Sequence, residues 1–283
     1  KPDYCVITNI GQCHLENLGS REGILKAKTE IFKSMNPDGY VFLNGEDDLL
    51  ATVKKPWKNE IIRFGMSKKD AVYATDVVNK GLPGSEAVIH VADTQFPVKV
   101  PLPGIHMVLN ALAATAVGWQ FGLTTEQIAK GIAQVQAVAG RSHVIETPEY
   151  ILIDDCYNAN PVSMKAAIDL LGTALQRKVA VLGDMFELGK DEAILHAQIG
   201  EYAMTHGVDV LICIGELSKN MYERAVETLS GKEHGSREIY YFPTREEAMA
   251  QLPHILHTGD AVLIKASHSM KFEEIVEQST GRI

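Results

Sequence analysis

Two short strings in this chain concentrate groups that do chemistry. Asp154-Asp155-Cys156-Tyr157-Asn158-Ala159-Asn160-Pro161 sets two carboxylates and two amides in one stretch, and Lys265-Ala266-Ser267-His268 sets an ammonium, a hydroxyl and an imidazole in another. Each follows an apolar run that reads as a buried strand, Tyr150–Ile153 and Ala261–Lys265, and the first leads into a helix-like segment from Val162. At such a strand end a parallel α/β sheet binds its ligands. The first string also reads as a polar βα loop closed by an Asn-Pro stop. A third candidate is Lys28. The spacing predicts a helix over 21–34 capped by Ser20, with Ile24, Ala27, Ile31 and Phe32 on one face and Lys28 in the middle of it. A lysine inside an apolar stripe is expected to be neutral, paired or chemically modified. Alternatively its stem packs and its head reaches out to water.

The elements that must position these residues fall into two regions. From Tyr4 to Ile10 a strand is expected, then the loop 11–19, then the helix over 21–34. Between Gly39 and Leu102 short β-like runs (40–43, 60–64, 71–74, 86–91, 96–100) alternate with turn signals such as Pro37-Asp38-Gly39 and Leu82-Pro83-Gly84. Two helices follow, over about 107–121 and 125–135, and Ala139-Gly140-Arg141-Ser142 marks the expected domain boundary, giving domains 1–139 and 140–283. Beyond it, strands at 150–153, 178–182, 208–214, 238–242 and 261–265 interleave with helices near 162–175, 190–206, 217–229, 245–256 and 271–278. That alternation predicts an α/β fold of the doubly wound type, with Asp154-Asp155, Gly183-Asp184, Gly215-Glu216 and Lys265–His268 all on one edge of the sheet.

Bulk composition narrows the classes. A hydrophobic content of 46% and a charged content of 22% are those of an ordinary globular protein, and a net charge of −9 argues against a general nucleic-acid binder. Cys5, Cys13, Cys156 and Cys213 show no CxxC pairing and no metal-ligand spacing, which suits reduced thiols in the cytoplasm. No apolar run reaches membrane-spanning length, and no signal-peptide pattern is present. The chain contains no GxxxxGK[ST] phosphate loop, and it opens on Lys1-Pro2-Asp3 directly before a strand, as a fragment of something longer would.

Four blocks taken together resemble the Mur ligase family, the ATP-dependent amide-forming enzymes of peptidoglycan precursor synthesis. They are Thr8-Asn9-Ile10 through His14 to Ala27-Lys28-Thr29-Glu30-Ile31-Phe32; Gly104-Ile105-His106 through Asn110-Ala111-Leu112-Ala113-Ala114; Gly140-Arg141 followed by Asp154 to Pro161; and Leu182-Gly183-Asp184-Met185-Phe186-Glu187-Leu188-Gly189 with His196. The Asp-Cys-Tyr-Asn-Ala-Asn-Pro and Gly-Asp-Met-x-Glu-Leu-Gly strings are most similar to the branch that joins D-alanyl-D-alanine to UDP-N-acetylmuramoyl-tripeptide. The resemblance implies a central ATPase-type α/β domain, truncated at its N-terminus, followed by a C-terminal Rossmann-like domain. It implies a reaction through an acyl phosphate with ATP and Mg²⁺, in a cytoplasmic monomer. By the same resemblance, His14 is a metal-binding histidine and Lys28 a lysine carbamylated to support a second metal. Asn110 lies near the adenine, Arg141 near the phosphates and Asp155 near the ribose. Asn158 and Asn160 fix the loop and reach towards nucleotide or acceptor, while Lys265, Ser267 and His268 face the incoming dipeptide. Two departures stand out: Met107 occupies a position where the family often has Asn, and Lys265-Ala266-Ser267-His268 replaces a more usual Lys-Gly-Ser-Arg. A sibling amino-acid ligase, of the tripeptide synthetase or folylpolyglutamate type, is one alternative. A non-catalytic nucleotide-binding scaffold is another.

Overall fold

A computed structural model describes residues 1–11, 18–54, 59–230 and 236–281. The chain divides into two compact units, one over the described residues of 1–136 and the other over those of 137–283.

The first unit is built on a six-stranded sheet of β1 (Tyr4–Ile7), β2 (Tyr40–Asn44), β3 (Glu60–Gly65), β4 (Val72–Asn79), β5 (Ser85–Val91) and β6 (Thr94–Val100), in that spatial order. The first four strands are parallel, β5 pairs antiparallel with β4, and β6 pairs antiparallel with β5. Helix α1 (Arg21–Thr29) and the short α2 (Asp48–Thr52) lie among the parallel strands in sequence; α3 (Ile105–Gln120) and α4 (Thr125–Ala133) follow the sheet. Alternation along β4–β6 buries Val72, Ala74, Ala87, Ile89, Val91, Phe96, Val98 and Val100, and these join Val108, Ala111, Leu112 and Ala116 of α3 with Ile128 and Ile132 of α4 in one core. Thr124 starts α4 with a capping box: its hydroxyl accepts from Gln127 N–H while the Gln127 side chain accepts from Thr124 N–H.

The second unit carries β7 (His143–Glu146), β8 (Ile151–Asp154), β9 (Lys178–Gly183), β10 (Val210–Ile214), β11 (Glu238–Phe242) and β12 (Ala261–Lys265), in the order β11-β10-β9-β12-β8-β7. Five strands are parallel and β7 pairs antiparallel with β8 at the edge. The interleaved helices are α5 (Pro161–Gly172), α6 (Glu192–Thr205), α7 (Ser218–Leu229), α8 (Arg245–Ile255) and α9 (Glu273–Ser279). Val179, Val181, Val210, Ile212, Ile214, Val262 and Ile264 form one core with Ala248, Leu252 and Ile255 of α8 and Ile275 and Val276 of α9. The alternate strand residues, among them Ile153, Ala180, Leu182, Leu211 and Leu263, are equally buried. A sheet covered on both faces explains why its strands read as unbroken apolar runs.

Three sequence expectations need correction. β1 ends at Ile7, short of Ile10. The helix expected over 21–34 ends at Thr29 and tightens into a 3₁₀ turn, Glu30–Ser34. At three residues per turn the 3.6-residue stripe is lost. Ile24 and Phe32 are buried while Ala27, Lys28 and Ile31 are exposed, so Lys28 does not sit within an apolar face. Finally, α2 and β7 stand where neither was expected. Asp47 caps α2, its Oδ1 accepting from Leu49 and Leu50 N–H, and its Oδ2 accepts from Ile10 N–H at 2.7 Å, which ties the end of β1 to the end of β2.

Candidate functional site

In the second unit the C-terminal ends of β8, β12 and β9 meet at one edge. β8 delivers Asp154, 5% exposed, which is spent on the scaffold. Its Oδ2 accepts from Gly140 N–H at 2.7 Å and its Oδ1 from the Cys156 thiol at 3.0 Å. Burial, then the Asp154 contact, pushes the Cys156 thiol far above its ordinary range, so Cys156 is an inert thiol here.

Asp155 faces the other way. Its Oδ1 accepts from Ser142 N–H at 2.8 Å, and its Oδ2 pairs with Lys265 Nζ at 2.6 Å. Lys265 comes from the end of the neighbouring β12, and its ammonium also donates to the Asn158 carbonyl at 2.9 Å and, at 3.4 Å, to the Asp155 carbonyl. With its side chain 3% exposed, Lys265 is a buried cation whose donors end on the strand-end turn.

That turn holds out an exposed group of side chains. The Arg141 guanidinium carbon lies 3.9 Å from the Tyr157 ring centroid, and the Tyr157 ring lies 5.5 Å from the His268 imidazole at an interplanar angle of 35°. Arg141 can reach the ring because Gly140 turns the chain at φ +75° and passes so close that a Cβ there would lie 3.2 Å from Tyr157 Cβ and N. Tyr157 N–H donates to the Gly140 carbonyl at 3.0 Å, and Ser142 completes the bend at φ +47°.

Asn160 is a helix cap. Its side chain accepts from Ser163 N–H at 2.9 Å, the Ser163 hydroxyl accepts from Asn160 N–H at 3.1 Å, and Pro161 occupies the first helical turn. Asn158 Oδ1 accepts from Ala159 N–H at 2.8 Å, and the residue is exposed. Ser267, 5% exposed, accepts on its hydroxyl from Phe186 N–H at 3.0 Å and donates its own N–H to the Asp184 carbonyl. It is thereby a clamp on the loop after β9.

The 183–189 loop is fastened twice more. Asp184 Oδ1 accepts from both the N–H and the hydroxyl of Ser218, each at 2.7 Å, at the start of α7. His196, wholly buried on α6, accepts from Met185 N–H on Nε2 at 2.9 Å and donates Nδ1–H to the Glu192 carbonyl at 2.7 Å. This arrangement needs the neutral ring, and burial lowers the His196 pKa accordingly.

In the first unit, Lys28 is exposed and donates to the Asn9 carbonyl at 2.9 Å, just past the end of β1. Asn110 is exposed on α3, its amide 3.4 Å from the Met107 sulfur. His14 lies outside the described residues. Among the described residues no three His, Cys, Asp or Glu side chains are grouped so that they could hold a metal ion, and an ammonium has no lone pair to give a metal. The described residues therefore do not by themselves fit a metal ion.

The structure thus gathers Arg141, Asp155, Asn158, Asn160, Lys265, Ser267 and His268 at one edge of the second unit, and places Lys28 and Asn110 in the first. Sequence reading missed Tyr157, Ser142 and Ser218. Tyr157 was the one to find: it is the only aromatic side chain in an otherwise polar strand-end loop.

Comparison with known proteins follows the same division. The Mur ligase middle domain matches residues 1–118, and the Mur ligase glutamate ligase domain matches residues 140–268. The chain belongs to the Mur ligase family. It is similar to the UDP-N-acetylmuramoyl-tripeptide--D-alanyl-D-alanine ligases of Bacillus subtilis (33% identical over 279 residues, 98% of this chain) and Escherichia coli (31% over 278 residues, 98% of this chain). It spans 59% and 60% of the length of those relatives. Among solved structures it is similar to MurF from Acinetobacter baumannii (TM-score 0.86, 29% identity, 99% of this chain and 60% of that one). It is also similar to MurF ligase from Thermotoga maritima in complex with ADP (TM-score 0.82, 25% identity, 99% and 62%). The Mur ligase fold is therefore present here as two parallel-rich α/β units.

Proposed function

We propose that this chain is the central and C-terminal part, divided near residues 139–140, of a UDP-N-acetylmuramoyl-tripeptide:D-alanyl-D-alanine ligase. The observation that carries the proposal is the strand-end turn of the second unit. The Asp-Cys-Tyr-Asn-Ala-Asn-Pro string there holds an exposed Arg141 guanidinium over Tyr157, beside exposed Asn158 and His268. A planar fork with free donors suits phosphate oxygens.

In this reading a carboxylate oxygen of the tripeptide attacks the γ-phosphorus of ATP and ADP leaves. The amine of D-alanyl-D-alanine then attacks the acyl carbon, loses a proton, and expels inorganic phosphate as the amide forms. Arg141 and, when protonated, His268 hold the phosphate charge, while Asp155 and Lys265 keep the turn in place. We assign Mg²⁺ to His14 and to Lys28 as its carbamate, which would exchange a cation for an oxygen donor. Asn110 is assigned to the adenine side. The dipeptide is assigned to the end of β12, with His268 rather than the buried Lys265 or Ser267 facing it. No helix among the described residues is long and apolar enough to cross a membrane, and we place the protein in the cytoplasm as a monomer without nucleic-acid partners.

The test is phosphate release by the full-length protein with ATP, Mg²⁺ and UDP-linked tripeptide. D-alanyl-D-alanine, single amino acids and no acceptor are compared. Release that requires the dipeptide supports the proposal. Release driven by a single amino acid moves the chain to a sibling ligase, and no release with any acceptor removes the ligase reading.

A further inference from the structure

We infer that Tyr157 is a positioning residue whose ring sets the Arg141 guanidinium, and that the buried Lys265 ammonium is the pin that holds Tyr157 in place. The inference rests on the nucleotide-binding reading above for its functional consequence, and on geometry alone for its structural content.

The geometry has three parts. First, the backbone of the Tyr157 turn is fixed from below. Lys265 Nζ bonds the Asp155 carboxylate at 2.6 Å and the Asn158 carbonyl at 2.9 Å, so one buried cation grips the chain on both sides of Tyr157. Second, the turn is fixed from the side, because Tyr157 N–H donates to the Gly140 carbonyl and Ser142 N–H donates to Asp155. Both bonds tie the turn to the segment that carries Arg141. Third, the ring itself is 48% exposed and is not anchored by its own burial. An exposed tyrosine on so constrained a backbone points where the backbone aims it, and there it meets the guanidinium 3.9 Å from its centroid as well as the His268 ring at 5.5 Å.

The physical consequence is preorganisation. A surface arginine samples many rotamers, and ordering it on a ligand opposes binding. Stacking on a fixed ring removes part of that loss before the ligand arrives and leaves the N–H edge of the fork free for an anion. Lys265 then acts at second hand, through the turn, and does not itself meet substrate. This differs from the role expected of it from sequence, and it explains why a cation at the end of β12 is buried.

Two readouts on the full-length protein test this. Arginine side-chain NMR, with Arg141→Lys for assignment, reports the ring-current shift that Tyr157 imposes on Arg141. ADP titration calorimetry reports affinity. Tyr157→Phe should retain both the shift and the affinity. Tyr157→Leu should lose the shift and weaken ADP binding about two- to five-fold, the range of one exposed cation–π contact. Lys265→Met should reproduce the Tyr157→Leu result in both readouts. The Tyr157 variants carry the test should Lys265→Met not fold, because that position is exposed. An Arg141 shift unchanged in Tyr157→Leu, or ADP affinity unchanged while the shift is lost, overturns the inference. Wild-type protein that binds no ADP overturns the nucleotide reading instead, and the NMR comparison still decides whether Tyr157 seats Arg141.

Discussion

Lowering the pH should loosen the 183–189 loop through one buried ring. His196 is wholly buried and carries a proton on Nδ1, which it gives to the Glu192 carbonyl at 2.7 Å, while Nε2 accepts from Met185 N–H at 2.9 Å. A second proton on Nε2 would point at an N–H and break that bond. Burial therefore holds the folded-state pKa below the ordinary value of 6.5. The sign follows from proton counting. Between 6.5 and the depressed folded value the unfolded chain binds a proton that the folded chain does not, so stability rises with pH and is lost as pH falls through that window. The slope from one such group is at most about 1.4 kcal/mol per pH unit.

Hydrogen exchange at the Met185 amide, corrected for the intrinsic pH dependence, reads this locally and does not require the two units to unfold together. Protection should fall as the pH drops below 6.5 and towards the depressed folded value, by at most about ten-fold per unit. His196→Gln keeps an acceptor for Met185 and removes the titration. It should lose about 1 kcal/mol at pH 7 for the missing bond to Glu192 and show a flat profile. Parallel pH profiles for wild type and His196→Gln would refute the assignment of a neutral, pH-sensitive His196.

Asn160→Ala should destabilise the second unit by about 1 kcal/mol through loss of the cap bond to Ser163, lowering its melting temperature by about 2–4 °C. Asn160→Ser should restore stability and keep ADP affinity; calorimetry showing equal loss of affinity in both variants would make Asn160 a nucleotide ligand. Asp70 is 9% exposed, packs against Gly45 and Gly65, and has a buried Oδ2 without a hydrogen-bond partner among the described residues. Burial, and then the charge of Glu46, raise its pKa from 3.8, so the native state holds its proton to higher pH and stability falls as pH climbs from 3.8 through the raised value. Asp70→Asn should match wild type in urea unfolding below pH 3.8 and exceed it at neutral pH. Lys28 is exposed and its single described bond is to the Asn9 carbonyl. Lys28→Ala should therefore change stability by less than about 0.5 kcal/mol and still abolish ATP-dependent phosphate release by the full-length protein; unimpaired release would remove Lys28 from the site.

The β/α succession of the second unit was legible because strands buried on both faces must be apolar at every position, and runs such as 179–182 and 261–264 contain nothing else. Lys28 was misread because the apolar stripe was traced at 3.6 residues per turn beyond Thr29, where the chain tightens and turns Ile31 outward. The cap role of Asn160 was missed, the string being read as an Asn-Pro stop with a helix from Val162, although Asn, Pro and Ser at the cap, first and third positions spell a helix start. The pairing of Asp155 with Lys265 was not written there. It joins residues 110 apart in the chain and exists only because β8 and β12 are neighbours in the sheet. β7 escaped for the opposite reason: three half-buried residues and an exposed one at an edge carry too little periodicity to declare a strand.

That contrast separates two kinds of polar residue at the sheet edge. Asp154, Asp155, Asp184, Ser267, Lys265 and His196 are buried or nearly so, and their bonds end on backbone, on one another, or on the Cys156 thiol and the Ser218 hydroxyl. Arg141, Tyr157, Asn158 and His268 are exposed on the scaffold those bonds create. Removing one partner of the Lys265–Asp155 pair would leave a buried charge uncompensated, a loss of about 3–5 kcal/mol, whereas an exposed side chain such as His268 can change at little expense to folding. Selection on the reaction can therefore act on the exposed set without disturbing the buried one. His268, which stands where the resemblance leads one to expect an arginine, belongs to the exposed set. The fold tolerates it, and its effect falls on the charge presented to an anion: permanent with arginine, dependent on protonation with histidine.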